Sequence, residues 1–335
     1  MVYIHKKIIG GKAYYTLRIS ERKGNRVITK DICSLGSDPE KIKLEDLEKN
    51  YHAEIRKSYR TLKRFLELNV YEQKAHKLKL KKQELLQAND LIIIEATKLH
   101  YKKRFLKLDK KTREEMLENF LLRFAVNSTA IEGNTINLKD AARLFKEDII
   151  PKNHTMREVY DLTNTRKVFF HLLKKQQKLS PQLMIDIHDK LLENIDIRKG
   201  FRNHDIHILG QPFKPTPARY VKADVNLLLK WYDEHKAKLH PFVLTVLFHH
   251  KFESIHPFSD GNGRTGRMLM NLILMQTSYP PIVVNRKDRK EYLEAMNQAD
   301  KAVRKSLISM DDDHLKLIHF MASQLQQSYW DVFLF

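Results

Sequence analysis

The sequence predicts a mainly α-helical protein with a small β-meander at its front. Residues 44–111 contain neither glycine nor proline, so nothing in them breaks a helix. From residue 113 onward apolar positions recur at helical spacing. Starts such as Ser180-Pro181, an N-cap followed by proline in the first turn, punctuate them. Residues 3–35 instead alternate, are rich in β-branched and aromatic side chains, and turn at Gly10-Gly11 and Lys23-Gly24-Asn25.

In chain order, residues 3–9, 13–19 and 27–35 are the strands of the meander. Three strands bury little by themselves, so the segment 1–37 is expected to pack on the helices that come after it. Asp38-Pro39 reads as a helix start. Residues 38–112 are expected to form one or two extended helices, with a hairpin turn near Asn89-Asp90. Leu62, Phe65, Leu66 and Val70 make one apolar stripe, and Leu78, Leu85 and Leu86 another. No heptad persists, which argues against a coiled coil. Further helices are expected at 113–125, 138–147, 155–177, 181–194, 222–238, 241–254, 264–278, 287–306 and 312–329. One interruption stands out. Residues 201–209 alternate like a strand, Gly210-Gln211-Pro212 turns, and 213–220 returns with two more prolines. In a helical protein this is the pattern of an exposed hairpin or a long functional loop. Residues 311–335 supply one last helix and an apolar tail, 329–335, suited to docking on the core or on another copy of the chain.

The net charge is +20, and its distribution says more than its size. Residues 1–36 hold eight Lys/Arg against two acids, and residues 56–113 hold eighteen against six, so the remainder is nearly balanced. Basicity belongs to the front of the chain. It suits either a solvated Lys-rich surface or a site for an acidic or nucleic-acid partner, although no groove-reading motif accompanies it. A single cysteine, Cys33, excludes an internal disulfide and fits a reducing cytoplasm. The first residues lack the apolar stretch of a signal peptide, and no apolar run is long enough to span a bilayer, so no membrane role is expected.

The most informative segment runs from His256 to Arg267: His-Pro-Phe-Ser-Asp-Gly-Asn-Gly-Arg-Thr-Gly-Arg. Glycines allow backbone N–H groups to turn toward an anion. A helix beginning near Arg264 would present its positive end to that anion. Arg264 and Arg267 share a helix face and can both grip phosphate oxygens. Asp260 can hold Mg²⁺ against phosphates. His256 is the group able to accept a proton near neutral pH. His249 and His250 precede the segment, and ordinary helix positions are the simpler expectation for them than a metal site.

This segment resembles the signature of the Fic family, HPFx[DE]GNGRxxR, and matches it at every fixed position. The resemblance covers about residues 113–310. It implies an all-helical core carrying a β-hairpin flap, and the transfer of AMP from ATP, with Mg²⁺, to a hydroxyl of a target protein. His256 would be the catalytic base and Asp260 the metal ligand. Gly261, Asn262, Gly263, Arg264, Thr265, Gly266 and Arg267 would form the phosphate site, with the Asn262 side chain contributing. The loop 200–220 lies where the family has its flap, which puts Leu209 and Gly210 beside the target segment. Tyr292 matches an aromatic residue beside the adenine, and Asp300 stands where relatives can carry Asn.

Residues Ser128-Thr129-Ala130-Ile131-Glu132-Gly133 fit the pattern [ST]xxxE[GN], an inhibitory motif of many Fic proteins. Ser128 and Glu132 share a helix face, and Gly133 is suited to end that helix in left-handed geometry. Glu132 would pair in bidentate fashion with Arg267 and take the place of an ATP phosphate. Because this motif precedes the catalytic one, the chain resembles the class with its inhibitory helix on the N-terminal side. Some relatives remove AMP or use UMP or phosphocholine donors, and these remain alternatives. So does a nucleic-acid-binding regulator whose core only senses nucleotide. The intact His256 argues against mere sensing. Besides a target protein with an acceptor hydroxyl, a second copy of the chain is a partner the sequence allows.

Overall fold

A computed structural model of the chain describes residues 1–81, 83–174, 177–207, 214–303 and 306–334. These divide into two compact units. The first comprises Met1–Leu80 with Glu95–His100 and Leu334, and the second comprises Lys81–Ile94 with Tyr101–Phe333.

In the first unit, β1 (Val2–Ile9), β2 (Lys12–Lys23) and β3 (Arg26–Gly36) form one antiparallel sheet in the order β1-β2-β3. Gly10 and Gly11 both have positive φ (56° and 76°), which lets a two-residue turn join β1 to β2. Alternation puts Val2, Ile4, Tyr15 and Leu17 on one face, where they pack against Ile55, Leu62 and Leu66 of α1 (Leu44–His76). Asp38 caps Glu40 N–H at 3.0 Å as expected, but the structure it starts is a single 3₁₀ turn, Pro39–Lys41, ahead of α1.

The expected turn near Asn89-Asp90 lies earlier. Helix α1 ends at His76, and α2 (Ala88–Lys103) begins just before Asn89. Lys77, Lys79 and Lys81 crowd like charge where α1 stops. Asp90, by contrast, suits the first turn of a helix, where its carboxylate meets the positive dipole end. It also sits 2.9 Å from His319 Nδ1.

The second unit continues with α3 (Lys110–Ile131), α4 (Leu138–Glu147), α5 (Met156–Lys174), α6 (Pro181–Leu191), α7 (Val221–His235), α8 (Pro241–Ile255), α9 (Asn262–Gln276), α10 (Arg289–Val303) and α11 (Leu315–Val332). The mainly helical fold with its N-terminal meander is borne out. Helix α3 runs through the Ser128 motif, beyond the end expected at 125, because Phe120, Leu121, Phe124 and Ala125 continue directly into buried Ser128 and Thr129. Helix α8 is buried on nearly all sides and packs against α7, α9, α10 and α11. It is the central post on which the motif loop is built. The aromatic tail docks on its own core: Phe333 packs edge-on against Phe105 and Tyr101, and stacks with Tyr329. Among the described residues no helix is long and apolar enough to cross a membrane.

The strand expected from residue 201 is not formed over the described residues 201–207, nor over 214–217 on the return. The carbonyls of His204 and Thr216 go to the Arg202 guanidinium instead of to a ladder. Leu209 and Gly210 lie outside the described residues.

Candidate active site

The motif loop hangs between the end of α8 and the start of α9. His256 caps α8 in left-handed geometry (φ 51°, ψ 62°), an uncommon choice for a non-glycine residue. Its Nδ1 lies 3.3 Å from the Glu253 carbonyl. The tautomer with hydrogen on Nδ1 donates there and leaves the lone pair on Nε2. Burial pushes the imidazole down to about 4, and the Arg202 charge acts the same way, so the ring is neutral at physiological pH.

Gly261 (φ 72°) then turns the chain into α9, which starts at Asn262, two residues earlier than expected. The Asn262 amide, expected to be a phosphate ligand, is spent on the loop itself. It accepts from Phe258 N–H at 2.9 Å and donates to Phe258 C=O at 2.8 Å. The Gly261 N–H is also spent, on Asp260 Oδ1 at 2.6 Å. The N–H groups of Asn262 and Gly263 belong to the first turn, which has no intrahelical acceptor for them. Below the loop, His188 stacks on Phe258 at 3.8 Å and lies 3.1 Å from the Asp260 carbonyl.

Glu132, at the C-terminal cap of α3, meets both motif arginines. Oε1 accepts from Arg267 Nη2 at 2.6 Å and Oε2 from Arg264 Nε at 2.8 Å. The carboxylate therefore bridges the two guanidinium groups and is not bidentate on Arg267. The second site on Arg267 is taken by Ser128, whose Oγ accepts from Nε at 2.9 Å and whose carbonyl accepts from Nη2 at 2.8 Å. Gly263 permits this approach, because a Cβ there would run into Glu132 Oε1 and Arg267. Gly133 ends α3 with φ 107°. Arg289 Nε donates to the Ile131 carbonyl at 2.8 Å, and Asn127 Oδ1 accepts from Arg286 N–H at 2.9 Å, so the start of α10 holds the same turn.

Arg264 is buried and faces two carboxylates besides Glu132: Asp161 on α5, in direct contact, and Asp260 at 3.3 Å. Asp260 also accepts from Arg157 Nη2 at 2.5 Å. Burial alone would raise the Asp260 carboxyl, but Arg264, the Gly261 N–H and Arg157 hold it below its usual range. Asp161 is raised, chiefly by burial.

A cavity of about 770 Å³ opens above these groups. Its wall includes Glu132, Glu253, His256, Asp260, Gly261, Asn262, Gly263, Arg267, Arg289, Tyr292, Asn297 and Asp300. Arg264, Thr265 and Gly266 are not part of that wall. Thr265 is fully buried, and Gly266 gives room to Glu253 Oε1, which a Cβ would strike. Tyr292 and Asp300 have fixed partners behind the wall: the Tyr292 hydroxyl with His249 Nε2 at 2.7 Å and Asp300 Oδ1 with His250 Nε2 at 2.9 Å. Glu253 is half-buried, and its Oε1 is enclosed with no hydrogen-bond partner among the described residues. Burial pushes its carboxyl up to about 8, above the opposing effect of Arg267.

Sequence reading missed Asp161, Arg157, Arg202, His188 and Glu253. The available signal was indirect: buried arginines need counter-charges, and these come from elements far away in the chain.

Residues 178–274 match the model of the Fic/DOC family. Over 179 residues the chain is 31% identical to a protein adenylyltransferase Fic of Nematostella vectensis, covering 52% of this chain and 42% of that protein. Over 194 residues it is 28% identical to protein adenylyltransferase fic-1 of Caenorhabditis elegans, covering 56% and 38%. The chain thus spans about two fifths of the length of these curated relatives. Its fold matches a Fic-domain-containing signaling protein of Bacteroides thetaiotaomicron with a TM-score of 0.65 at 23% identity, covering 71% of this chain and 95% of that one. It also matches C. elegans Fic-1 with a TM-score of 0.58 at 21% identity, covering 81% and 86%. The whole motif, His256 to Arg267, lies inside the region 178–274 that matches the Fic/DOC family, on one loop of the matching helical core.

Proposed function

We propose that the protein is a protein adenylyltransferase, moving AMP from ATP to a Ser, Thr or Tyr hydroxyl of a target protein and releasing pyrophosphate. The observation that carries this reading is a neutral His256 on the same cavity wall as the first turn of α9 and Arg267. His256 Nε2 takes the hydroxyl proton as the target oxygen attacks the α-phosphorus. A new P–O bond forms there, and the bond to the bridging oxygen of the β-phosphate breaks, its electron pair leaving with pyrophosphate. Nucleotide phosphates beside the imidazole raise its basicity at the moment it is needed.

First-turn N–H groups of Asn262 and Gly263 and the positive end of α9 suit the phosphates. Arg267 is the cation for the leaving group. Arg264, enclosed by Asp161 and Asp260, serves better to hold the loop than to meet the nucleotide. The ionised Asp260 on the cavity wall fits Mg²⁺, which would neutralise phosphate charge there. Arg157 would have to yield its contact. Tyr292 and Asp300 are assigned to the adenine end, and Leu209 and Gly210 to strand addition with the target.

Glu132 restrains this reaction. It occupies Arg267, the cation that the phosphates need. Orienting a water for AMP removal is the alternative role for the same carboxylate. The boundaries at residues 37, 112 and 310 belong to the same proposal, with 1–112 recognising or positioning a partner through its basic surface. A reducing cytoplasm suits the lone Cys33.

The test is to incubate the full chain and its Glu132→Gly variant with Mg²⁺ and ATP, UTP or CDP-choline, and to read intact masses. Adenylylation from ATP alone is expected. Transfer of UMP or phosphocholine instead would change the donor. No adduct from any donor in either protein would reject the reading.

A further inference from the structure

Arg202 lies outside the motif, yet it grips the backbone of the motif loop directly. Its side chain is fully buried, and its carboxylate neighbour, Asp205, is 3.9 Å away and largely exposed. The charge is satisfied by carbonyl oxygens instead. Nε donates to His256 C=O at 2.8 Å, Nη1 to His204 C=O at 3.0 Å, and Nη2 to Ile255 C=O at 3.3 Å and to Thr216 C=O. The Arg202 backbone N–H adds Pro257 C=O at 3.0 Å. Three successive carbonyls, 255 to 257, therefore point at one residue. His256, the middle one of the three, is left-handed, a conformation that a β-carbon disfavours.

The same guanidinium also ties the two sides of the loop that leaves at 203 and returns at 216. Two bonds support that junction: Ala218 N–H to Asp205 Oδ1 at 2.6 Å and Thr216 Oγ1 to Asp224 Oδ2 at 2.7 Å. A planar fork with five donors can reach four carbonyls at once, which an ammonium on a flexible stem cannot.

We propose that Arg202 is a positioning residue. It holds the left-handed His256 backbone in one register with the backbone at His204 and Thr216, so that the base keeps a fixed place on the cavity wall. The inference rests on His256 being the base of AMP transfer. The groups facing His256 are Arg202 from the loop, Glu253 on α8, Glu132 from the end of α3 and Asp260 in the motif; of these Arg202 brings positive charge.

Two variants separate geometry from charge. Arg202→Lys keeps the charge but not the fork, and Arg202→Gln loses both. Both are read in full-length protein by kcat, by KM for ATP, and by the NMR titration of the His256 ring. The expected result is a fall in kcat of about 10- to 100-fold in both, within the span that a mispositioned base produces. KM for ATP should stay within about twofold, because the phosphates are held elsewhere. The His256 titration should move upward in Arg202→Gln and much less in Arg202→Lys. Unchanged kcat in both variants, or KM rising as far as kcat falls, would overturn the proposal, as would an unmoved titration in Arg202→Gln. If neither variant folds, exchange of the Arg202 Nε–H in the wild type decides: protection like that of the α8 amides supports the clamp, and fast exchange overturns it. The titration and exchange readings need no turnover. Transfer by neither wild type nor Glu132→Gly would therefore sink the enzymatic reading while the clamp is judged separately.

Discussion

Glu132 Oε1 lies 2.6 Å from Arg267 Nη2, a charge-assisted hydrogen bond between the end of α3 and the second turn of α9. These residues are 135 positions apart, and the bond puts a carboxylate on the guanidinium expected to meet phosphate. Its partners define how the proposed restraint could be loosened by degrees.

Ser128 is the first of these. Its Oγ accepts from Arg267 Nε and fixes the plane in which Nη2 faces Glu132. Ser128→Ala removes one hydrogen bond, a net contribution of about 0.5–1.5 kcal/mol, and leaves the ion pair. Auto-adenylylation should rise by a few-fold, well short of the effect of removing Glu132. Intact-mass time courses of the two variants would rank them, and a Ser128→Ala rate at or below wild type would show that the hydroxyl does not contribute.

Asp161 is the second. It is the most enclosed counter-charge of Arg264, and breaking a buried ion pair on one side costs about 3–5 kcal/mol. Glu132 and Asp260 remain beside Arg264 and soften the loss. Asp161→Ala should lower stability to urea by roughly 1–3 kcal/mol. A variant as stable as wild type would mean that the contact is incidental.

Glu253 makes a prediction in pH. Its carboxyl, buried and pushed up to about 8, is protonated in the folded protein at neutrality, whereas the unfolded chain loses that proton near the ordinary value of 4.5. The folded state thus binds the extra proton between those values, so stability must fall as pH rises through that window. Glu253→Gln should flatten the dependence and raise the melting temperature at pH 7.5 relative to wild type, with little change at pH 4.5. Melting curves at several pH values would check it, and parallel curves for the two proteins would contradict it.

How far the sequence reveals this site depends on chain distance. His256 to Arg267 is contiguous, so its turn, its helix start and its charges could be recognised together. Glu132 was legible through the resemblance of residues 128–133 to the family's inhibitory motif, since a Ser-x-x-x-Glu spacing is by itself common in helices. Asp161, Arg157 and Arg202 obey no such spacing to the groups they touch, and only the packing of α5 and of Arg202 on the motif brings them in. Asn262 misled because an amide in a phosphate loop can serve the ligand or the loop, and here it closes the loop across Phe258. The turn before α2 was misplaced because Asn-Asp serves a helix start as readily as a hairpin.

We propose that His256 serves AMP transfer and that Glu132 holds it back. Wild type, Glu132→Gly and the double variant Glu132→Gly/His256→Ala should be incubated with ATP and Mg²⁺ and compared by intact mass. Releasing a bond of about 1.5–3 kcal/mol predicts labelling about ten- to a hundredfold faster in Glu132→Gly than in wild type. The double variant should show none while still binding ATP. Labelling in Glu132→Gly no faster than in wild type, or undiminished in the double variant, would contradict the account.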